Sequence, residues 1–103
     1  MIVYEVNLFV RREVEAEYRA WLDAHVREIV ALDGFLGAEL FERREPAAGA
    51  DELVLCTQYR LRDADALAAY LREHAPRLRA DGVARFGAAF RAERRVLERV
   101  AGY

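Results

Sequence analysis

The sequence is poor in residues that build covalent or metal-based sites. Cys56 is its only cysteine, which excludes an intrachain disulfide and a four-thiolate iron–sulfur cluster within one chain. We expect Cys56 to pack as a small hydrophobic residue of a strand rather than to act as a nucleophile. The two histidines lack an obvious third ligand, so we expect no metal site. We also expect no cofactor, because the chain has no phosphate-binding glycine loop, nucleophile elbow or CxxC motif.

Long apolar runs and a basic targeting segment are also missing. No stretch approaches the ~20 apolar residues that a membrane-spanning helix needs. The N-terminal segment MIVYEVN contains Glu5 and no basic residue, unlike a secretory signal. We therefore predict a cytoplasmic protein without a membrane partner.

Lysine is absent, and all 16 basic residues are arginine. Arginine binds phosphate well, but here 18 acidic residues are interleaved with the arginines and the net charge is −2. This distribution provides no basic stripe, so we predict no nucleic-acid partner. The length of 103 residues and the hydrophobic fraction of 54% predict one globular domain that spans residues 1–103.

Hydrophobic periodicity predicts an alternation of strands and helices. Gly34 is placed to end the first helix, and Asp63 is placed to cap the second. Pro76 cannot continue a helix but suits a first turn, so the second helix should end near His74 and a short helix should follow at once. The predicted elements are strand 2–10, helix 13–32, strands 35–44 and 52–61, a helix from 63 to 74 with Leu67, Tyr70, Leu71 and His74 inward, a short helix towards Phe86, and strand 90–100 with Phe90, Ala92, Val96 and Val100 inward. The charged residues of the last segment also fit a helix, but the strand is the favoured interpretation.

This order predicts an α+β protein with the ferredoxin-like βαββαβ fold, an antiparallel four-stranded sheet with both helices on one face. The other sheet face is mixed in character, with apolar ends and charges of both signs. Such a surface suits a symmetric homodimer, although an antiparallel sheet can also face solvent. The residues predicted on this face are Val3, Glu5, Asn7, Phe9, Val54, Cys56, Gln58, Arg60, Arg91, Glu93, Arg95 and Leu97.

Three segments together resemble the dimeric α+β barrel superfamily, in which two ferredoxin-like units pack sheet against sheet. They are MIVYEVNLFV, WLDAHVREIVALDGF and YLREHAPRLRADGVARFG. Within this superfamily they look like an uncharacterised family of small bacterial ferredoxin-like proteins. The resemblance implies a dimeric barrel but no particular reaction, since the superfamily includes cofactor-free monooxygenases, haem-degrading enzymes, isomerases and proteins without known activity.

The candidate catalytic residues are His25 and His74, which both fall on the apolar stripes of their helices. These stripes should face the same side of the sheet, so the imidazoles could line a common pocket and act as general bases. Alternatively, each is a core histidine satisfied by a backbone carbonyl. The candidate ligand-binding residues are the aromatic side chains that could form the walls of this pocket, Tyr4, Tyr18, Trp21, Tyr59 and Tyr70.

Asn7 invites comparison with oxygenases of the superfamily that combine a first-strand asparagine with a tryptophan and, in the haem enzymes, a histidine. The match is partial, because Trp21 lies on the first helix and Tyr70 takes the place of a second-helix tryptophan. We therefore expect Asn7 to be a hydrogen-bonding interface residue rather than a catalyst.

A local excess of arginine occupies the last third of the chain. These side chains could hold a carboxylate ligand at a pocket mouth, but interleaved acids favour ordinary ion pairs with Glu73, Asp81, Glu93 and Glu98. The arginines concerned are Arg77, Arg79, Arg85, Arg91, Arg94 and Arg95.

The favoured interpretation is a small ferredoxin-like homodimer that binds a small molecule between helices and sheet and has no recognisable catalytic motif. The alternative is a cofactor-independent monooxygenase or isomerase that acts on a small aromatic or quinone-like substrate.

Overall fold

The computed structural model describes residues 1–103 and contains four strands and three α-helices. The sheet order is β2-β3-β1-β4, and every neighbouring pair is antiparallel. This arrangement confirms the predicted ferredoxin-like βαββαβ fold. The elements are β1 (Ile2–Arg11), α1 (Glu15–Val30), β2 (Phe35–Glu42), β3 (Glu52–Leu61), α2 (Ala64–Glu73), α3 (Ala75–Phe86) and β4 (Phe90–Glu98), with short 3-10 turns at Arg12–Val14 and Gly87–Ala89. None of the helices combines the length and apolar character needed to cross a membrane.

The helix boundaries follow from the local chemistry of a few residues. The Asp63 carboxylate accepts a hydrogen bond of 2.8 Å from the backbone N–H of Ala66 and so caps α2. His74 lies between α2 and α3, and Pro76 sits in the first turn of α3. Gly34 turns the chain towards β2 with φ of 88°, where a Cβ would come within 2.6 Å of Ala66 Cβ. The predicted Asp63 cap and the proline break are therefore confirmed. The predicted Gly34 cap is wrong, because α1 already ends at Val30 with Ala31 as its C-cap and Gly34 lies in the turn that follows.

The two sheet faces differ as the alternation predicts. Even-numbered residues of β1 face the helices and form the core with odd-numbered residues of β3. On the opposite face, here called the open face, Glu5 lies beside Gln58 of β3 and Arg95 of β4. The register places all twelve predicted residues of the mixed surface on the open face.

A charged cluster occupies the middle of the open face. The Glu5 residue is only 3% exposed, and its carboxylate accepts hydrogen bonds from Asn7 Nδ2 at 2.9 Å and Gln58 Nε2 at 3.0 Å. The Arg95 guanidinium donates to both Glu5 oxygens. Chiefly because of Arg95, the pKa of Glu5 falls to about 2. Glu5 is therefore a charged, fully hydrogen-bonded side chain within the sheet.

Some details differ from the expectations. Helix α1 begins at Glu15, after a 3-10 turn, rather than at Glu13, and Leu71 of α2 is 37% exposed instead of inward. Val100 lies beyond β4 and is 94% exposed. Val96 alternates towards the helix side but remains 54% exposed, because β4 is an edge strand whose far end has little helix above it.

Candidate functional site

A cavity of about 290 Å³ lies between the sheet and the helices. Strands β1, β3 and β4 form its floor, and α1 and α3 form most of its walls. The exposed residues of the lining belong to α3, β4 and the turn between them, so the cavity opens to solvent between α3 and β4. The lining residues are Tyr4, Val6, Leu8, Tyr18, Trp21, Leu22, His25, Ile29, Thr57, Tyr59, Tyr70, Leu78, Arg79, Gly82, Val83, Gly87, Phe90, Arg91, Ala92 and Arg94.

The walls of this cavity are largely aromatic. Tyr18 is 1% exposed, and its ring lies 5.5 Å from that of Trp21 and 5.3 Å from that of Phe90. On the β1 and β3 side, the ring centroids of Tyr4 and Tyr59 are 6.1 Å apart. Burial raises the pKa of Tyr70 to about 12, so this phenol stays neutral at pH 7. The fold thus brings together the five aromatic residues that the sequence suggested as pocket walls.

His25 also lines the cavity. Its ring stacks on Trp21 with centroids 4.4 Å apart. Burial lowers the pKa of His25, an effect that the nearby Glu28 and Asp81 carboxylates oppose. An imidazole with a lowered pKa is mostly neutral at pH 7, so it has a free ring nitrogen that can accept a proton from a ligand.

Contacts between α1 and α3 hold this wall in place. Trp21 Nε1 donates a hydrogen bond of 2.8 Å to Asp81, and Arg77 pairs with Glu28 at 3.0 Å. Gly82 is buried against the indole, and a Cβ at this position would lie 2.9 Å from Trp21 Cη2. The absence of a side chain at Gly82 therefore lets α3 approach Trp21 closely.

His74 is not among the residues that line the cavity. It lies at the junction of α2 and α3, and its ring stacks on Tyr70 with centroids 6.5 Å apart. Its backbone N–H donates to the Tyr70 carbonyl, and its own carbonyl accepts from Leu78. The fold therefore does not bring the two imidazoles into one pocket, because the proline break turns the chain at His74.

Asn7 and Cys56 are opposite each other on the open face, away from the cavity. Asn7 donates to Glu5 and cannot join Trp21 and His25 around a ligand in the cavity. Burial and the nearby Glu5 carboxylate raise the pKa of the Cys56 thiol, which makes it a poor nucleophile. No group of three or more His, Cys, Asp or Glu side chains is placed to hold a metal ion.

Thr57 is a site residue that the sequence reasoning missed. It is 0% exposed and lines the cavity from β3, yet its Oγ1 has no hydrogen-bond partner. Buried hydroxyl groups nearly always have a partner, so this one stands out. Its position between Leu55 and Tyr59 in an otherwise apolar alternation is the signal that could have identified it.

The arginines of the last third of the chain separate into paired and unpaired groups. Arg85 pairs with Asp81 and Arg91 with Glu93, as expected for ordinary ion pairs. Arg79 donates a hydrogen bond of 2.8 Å to the Tyr4 hydroxyl. Among the six arginines that the sequence singled out in this region, only Arg94 makes neither a side-chain hydrogen bond nor an ion pair within the chain, although it lines the cavity.

Fold and cavity together define a ferredoxin-like protein with an aromatic-lined pocket between its helices and its sheet. The chain belongs to the family described as a domain of unknown function, DUF4286, whose model matches residues 1–100. No curated protein matches the sequence closely enough to count as a relative.

Several solved structures share the fold over nearly their whole length. A protein proposed to be an antibiotic biosynthesis monooxygenase, from Deinococcus radiodurans, has a TM-score of 0.77 at 13% identity, covering 100% of this chain and 96% of that one. Rv0793 from Mycobacterium tuberculosis has a TM-score of 0.65 at 24% identity, covering 99% and 98%. SnoaB, a cofactor-independent oxygenase from Streptomyces nogalater, has a TM-score of 0.69 at 18% identity, covering 98% and 95%. At these identities the similarity establishes the fold and leaves the chemistry open.

Proposed function

We propose that this protein binds a small aromatic molecule in the cavity between its helices and its sheet. The observation that carries the proposal is the aromatic lining of a cavity of about 290 Å³. An apolar cavity of ~150 Å³ is enough for benzene, so a ligand of about two fused rings fits this volume. Aromatic walls offer such a ligand stacked and edge contacts.

A thermal-shift screen against quinones, small aromatic acids and haem tests this proposal, because a ligand that prefers the native state raises Tm. We expect two-ring compounds to raise Tm and haem, which exceeds the cavity, to leave Tm unchanged. Ala92→Phe adds a ring to the cavity lining and should abolish the shift. Ala84→Phe adds the same ring to an exposed site of α3 and should retain it. Equal shifts in both variants would contradict binding in this cavity.

An enzymatic role is the second candidate, and His25 is the observation that favours it. The mostly neutral imidazole faces the cavity and could remove an acidic proton from an aromatic or quinone-like ligand, as an isomerase or a cofactor-independent oxygenase requires. The oxygenase names of two proteins with a similar fold support this candidate. His74, which does not line the cavity, has no part in the proposal.

Turnover of bound aromatic compounds, followed by product formation and dioxygen uptake, distinguishes an enzyme from a binding protein. If His25 is the base, His25→Ala should reduce kcat by at least about 100-fold while ligand still binds. His74→Ala is the matched control and should leave kcat unchanged. Unchanged binding and turnover in His25→Ala would remove His25 from the site.

We also propose that the protein is a homodimer of one-domain subunits that pack through their open faces. Exposed Leu97 and Phe41 provide apolar contact area on this face, and the central Glu5–Arg95 pair provides polar contacts. A symmetric arrangement would bury these groups against their own copies and so form a closed barrel from two sheets.

A further inference from the structure

Three polar groups of the cavity point to the chemical class of its ligand. Thr57 presents a buried hydroxyl without a partner. Arg94 is exposed, lines the cavity, and makes no hydrogen bond or ion pair within the chain. Arg79, bound to the Tyr4 hydroxyl, adds a second positive charge at the same mouth. The Thr57 hydroxyl is a group that a ligand atom could satisfy, since buried polar atoms without partners are rare in folded proteins. The exposed Arg94 guanidinium is free to pair with an anionic group of a ligand.

The charge of the cavity lining is entirely positive. It contains no aspartate or glutamate, and its basic groups are Arg79, Arg94 and His25. Arg91 also touches the cavity, but its guanidinium pairs with Glu93 and lies over the Phe9 ring on the open face. The carboxylates nearest to His25 are already engaged, Glu28 with Arg77 and Asp81 with Trp21 and Arg85. A negatively charged ligand group therefore meets a free cation at Arg94 and no fixed anion within the cavity.

The sheet register sets the spacing of the backbone positions that carry the Thr57 hydroxyl and the Arg94 guanidinium. Thr57 of β3 and Arg94 of β4 are both paired with Val6 of the intervening strand β1, so the three residues form one row that faces the helices. Neighbouring strands are ~4.8 Å apart, which separates the backbones of Thr57 and Arg94 by about 10 Å. A two-ring aromatic molecule with polar groups at opposite ends has a comparable length.

Building on the proposed function, we infer that the ligand is an elongated aromatic acid whose anionic group pairs with Arg94 and whose far polar group bonds to Thr57. The carboxylate of such a ligand lies at the mouth between α3 and β4, where Arg94 supplies charge-assisted hydrogen bonds. Its ring lies along Val6 among the tyrosines, and its distal hydroxyl accepts or donates one hydrogen bond at Thr57 Oγ1.

Isothermal titration with three matched probes tests this inference. The probes are 6-hydroxy-2-naphthoate, its uncharged amide 6-hydroxy-2-naphthamide, and 2-naphthoate, which lacks the hydroxyl group. We expect the wild type to bind the hydroxy acid about tenfold more tightly than either of the other two. Arg94→Gln should remove the preference for the acid over the amide. Arg72→Gln, which removes an equal charge from an exposed site of α2, should retain it.

Thr57→Val keeps the side-chain shape and should remove only the preference for the hydroxylated acid over 2-naphthoate. Equal affinity of the wild type for acid and amide, or a preserved preference in Arg94→Gln, would overturn the assignment of an acid. If the acid and the amide bind equally well and Ala92→Phe abolishes the binding of both, the assignment of an acid fails but the proposed binding function stands. Absence of binding by all three probes would count against the acid and the binding function together.

Discussion

At the scale of single residues, Glu5 links the stability of the sheet to pH. A carboxyl group whose pKa is lower in the folded chain than in the unfolded chain stabilises the fold above the unfolded-state value. For Glu5 these pKa values are about 2 and 4.5, with the Arg95 hydrogen bonds as the main cause. Its contribution is therefore complete at pH 7 and is lost as the pH falls from 4.5 towards 2.

We predict that Glu5→Gln lowers the free energy of unfolding at pH 7 by about 1–3 kcal/mol, because the amide cannot pair with Arg95. The difference in free energy of unfolding between the variant and the wild type should shrink below pH 4.5 and nearly vanish near pH 2. Urea unfolding followed by the fluorescence of Trp21, the only tryptophan, measures both effects. Glu13→Gln removes an exposed carboxylate and should change stability by less than about 0.5 kcal/mol. A difference in free energy of unfolding that does not change with pH would contradict a stabilising role of the Glu5 charge.

Thr57 exemplifies a residue that costs stability in the free protein. Its buried hydroxyl has no partner, so Thr57→Val should raise the free energy of unfolding by about 1–2 kcal/mol. Thr57→Ser retains the hydroxyl, loses a methyl group and should lower it by about 1 kcal/mol. Chemical denaturation without ligand checks both changes. A destabilised valine variant would mean that the hydroxyl is satisfied in the free protein.

These residues also mark what alternation can predict. Alternation predicts that Thr57, between Leu55 and Tyr59, faces the helix side of the sheet. It predicts the same for Arg94, between Ala92 and Val96. Whether either side chain finds a partner depends on groups brought in by α1 and α3. That information is tertiary, and no spacing along one strand contains it.

At the scale of elements, the packing of α3 on α1 depends on the contact between Gly82 and Trp21. Alanine normally favours a helix over glycine by about 1 kcal/mol. At this position its Cβ would lie 2.9 Å from Trp21 Cη2, so the indole or the helix must shift. We predict that Gly82→Ala lowers the free energy of unfolding by about 1–2 kcal/mol despite the better helix propensity.

A double-mutant cycle isolates this contact. Trp21→Phe removes the atoms that would clash, so Gly82→Ala should be neutral or stabilising in that background. Far-UV circular dichroism during urea unfolding serves as the readout, because the variant lacks tryptophan. Equal effects of Gly82→Ala in both backgrounds would show that the indole does not limit the approach of α3.

Element order was predictable from periodicity, while the surroundings of individual side chains were not. Asp63 and Pro76 act locally, and such local signals specify where α2 and α3 begin. His74 shows the limit, since its place on an apolar stripe gave no indication that the turn at Pro76 would separate it from the cavity. Whether a histidine on an apolar stripe reaches the cavity depends on how α2 and α3 are arranged over the sheet.

At the scale of the whole molecule, the proposed dimer makes a prediction about two neighbouring residues. Leu97 lies on the open face, opposite Val3, whereas the adjacent Val96 alternates to the helix side. Both are exposed in the single chain, at 38% and 54% respectively. Leu97→Glu should weaken dimerisation by about tenfold or more, because it places a charge in the interface. Val96→Glu adds the same charge to the other face and should leave dimerisation unchanged.

Sedimentation velocity at micromolar concentration provides the measurement. We expect the wild type and Val96→Glu to sediment as particles of twice the chain mass of 11.8 kDa. Leu97→Glu should sediment as a single chain. A wild type that stays a single chain at this concentration would refute the dimer while leaving the cavity proposal in place.

The composition of β4 limits how copies of this chain can associate at high concentration. Its nine residues include five charged ones, Arg91, Glu93, Arg94, Arg95 and Glu98. Because β4 is an edge strand, its free backbone groups would otherwise offer a template on which another strand could add. Dense charge discourages such addition, so this edge is a poor starting point for cross-β fibrils even where the folded chain accumulates.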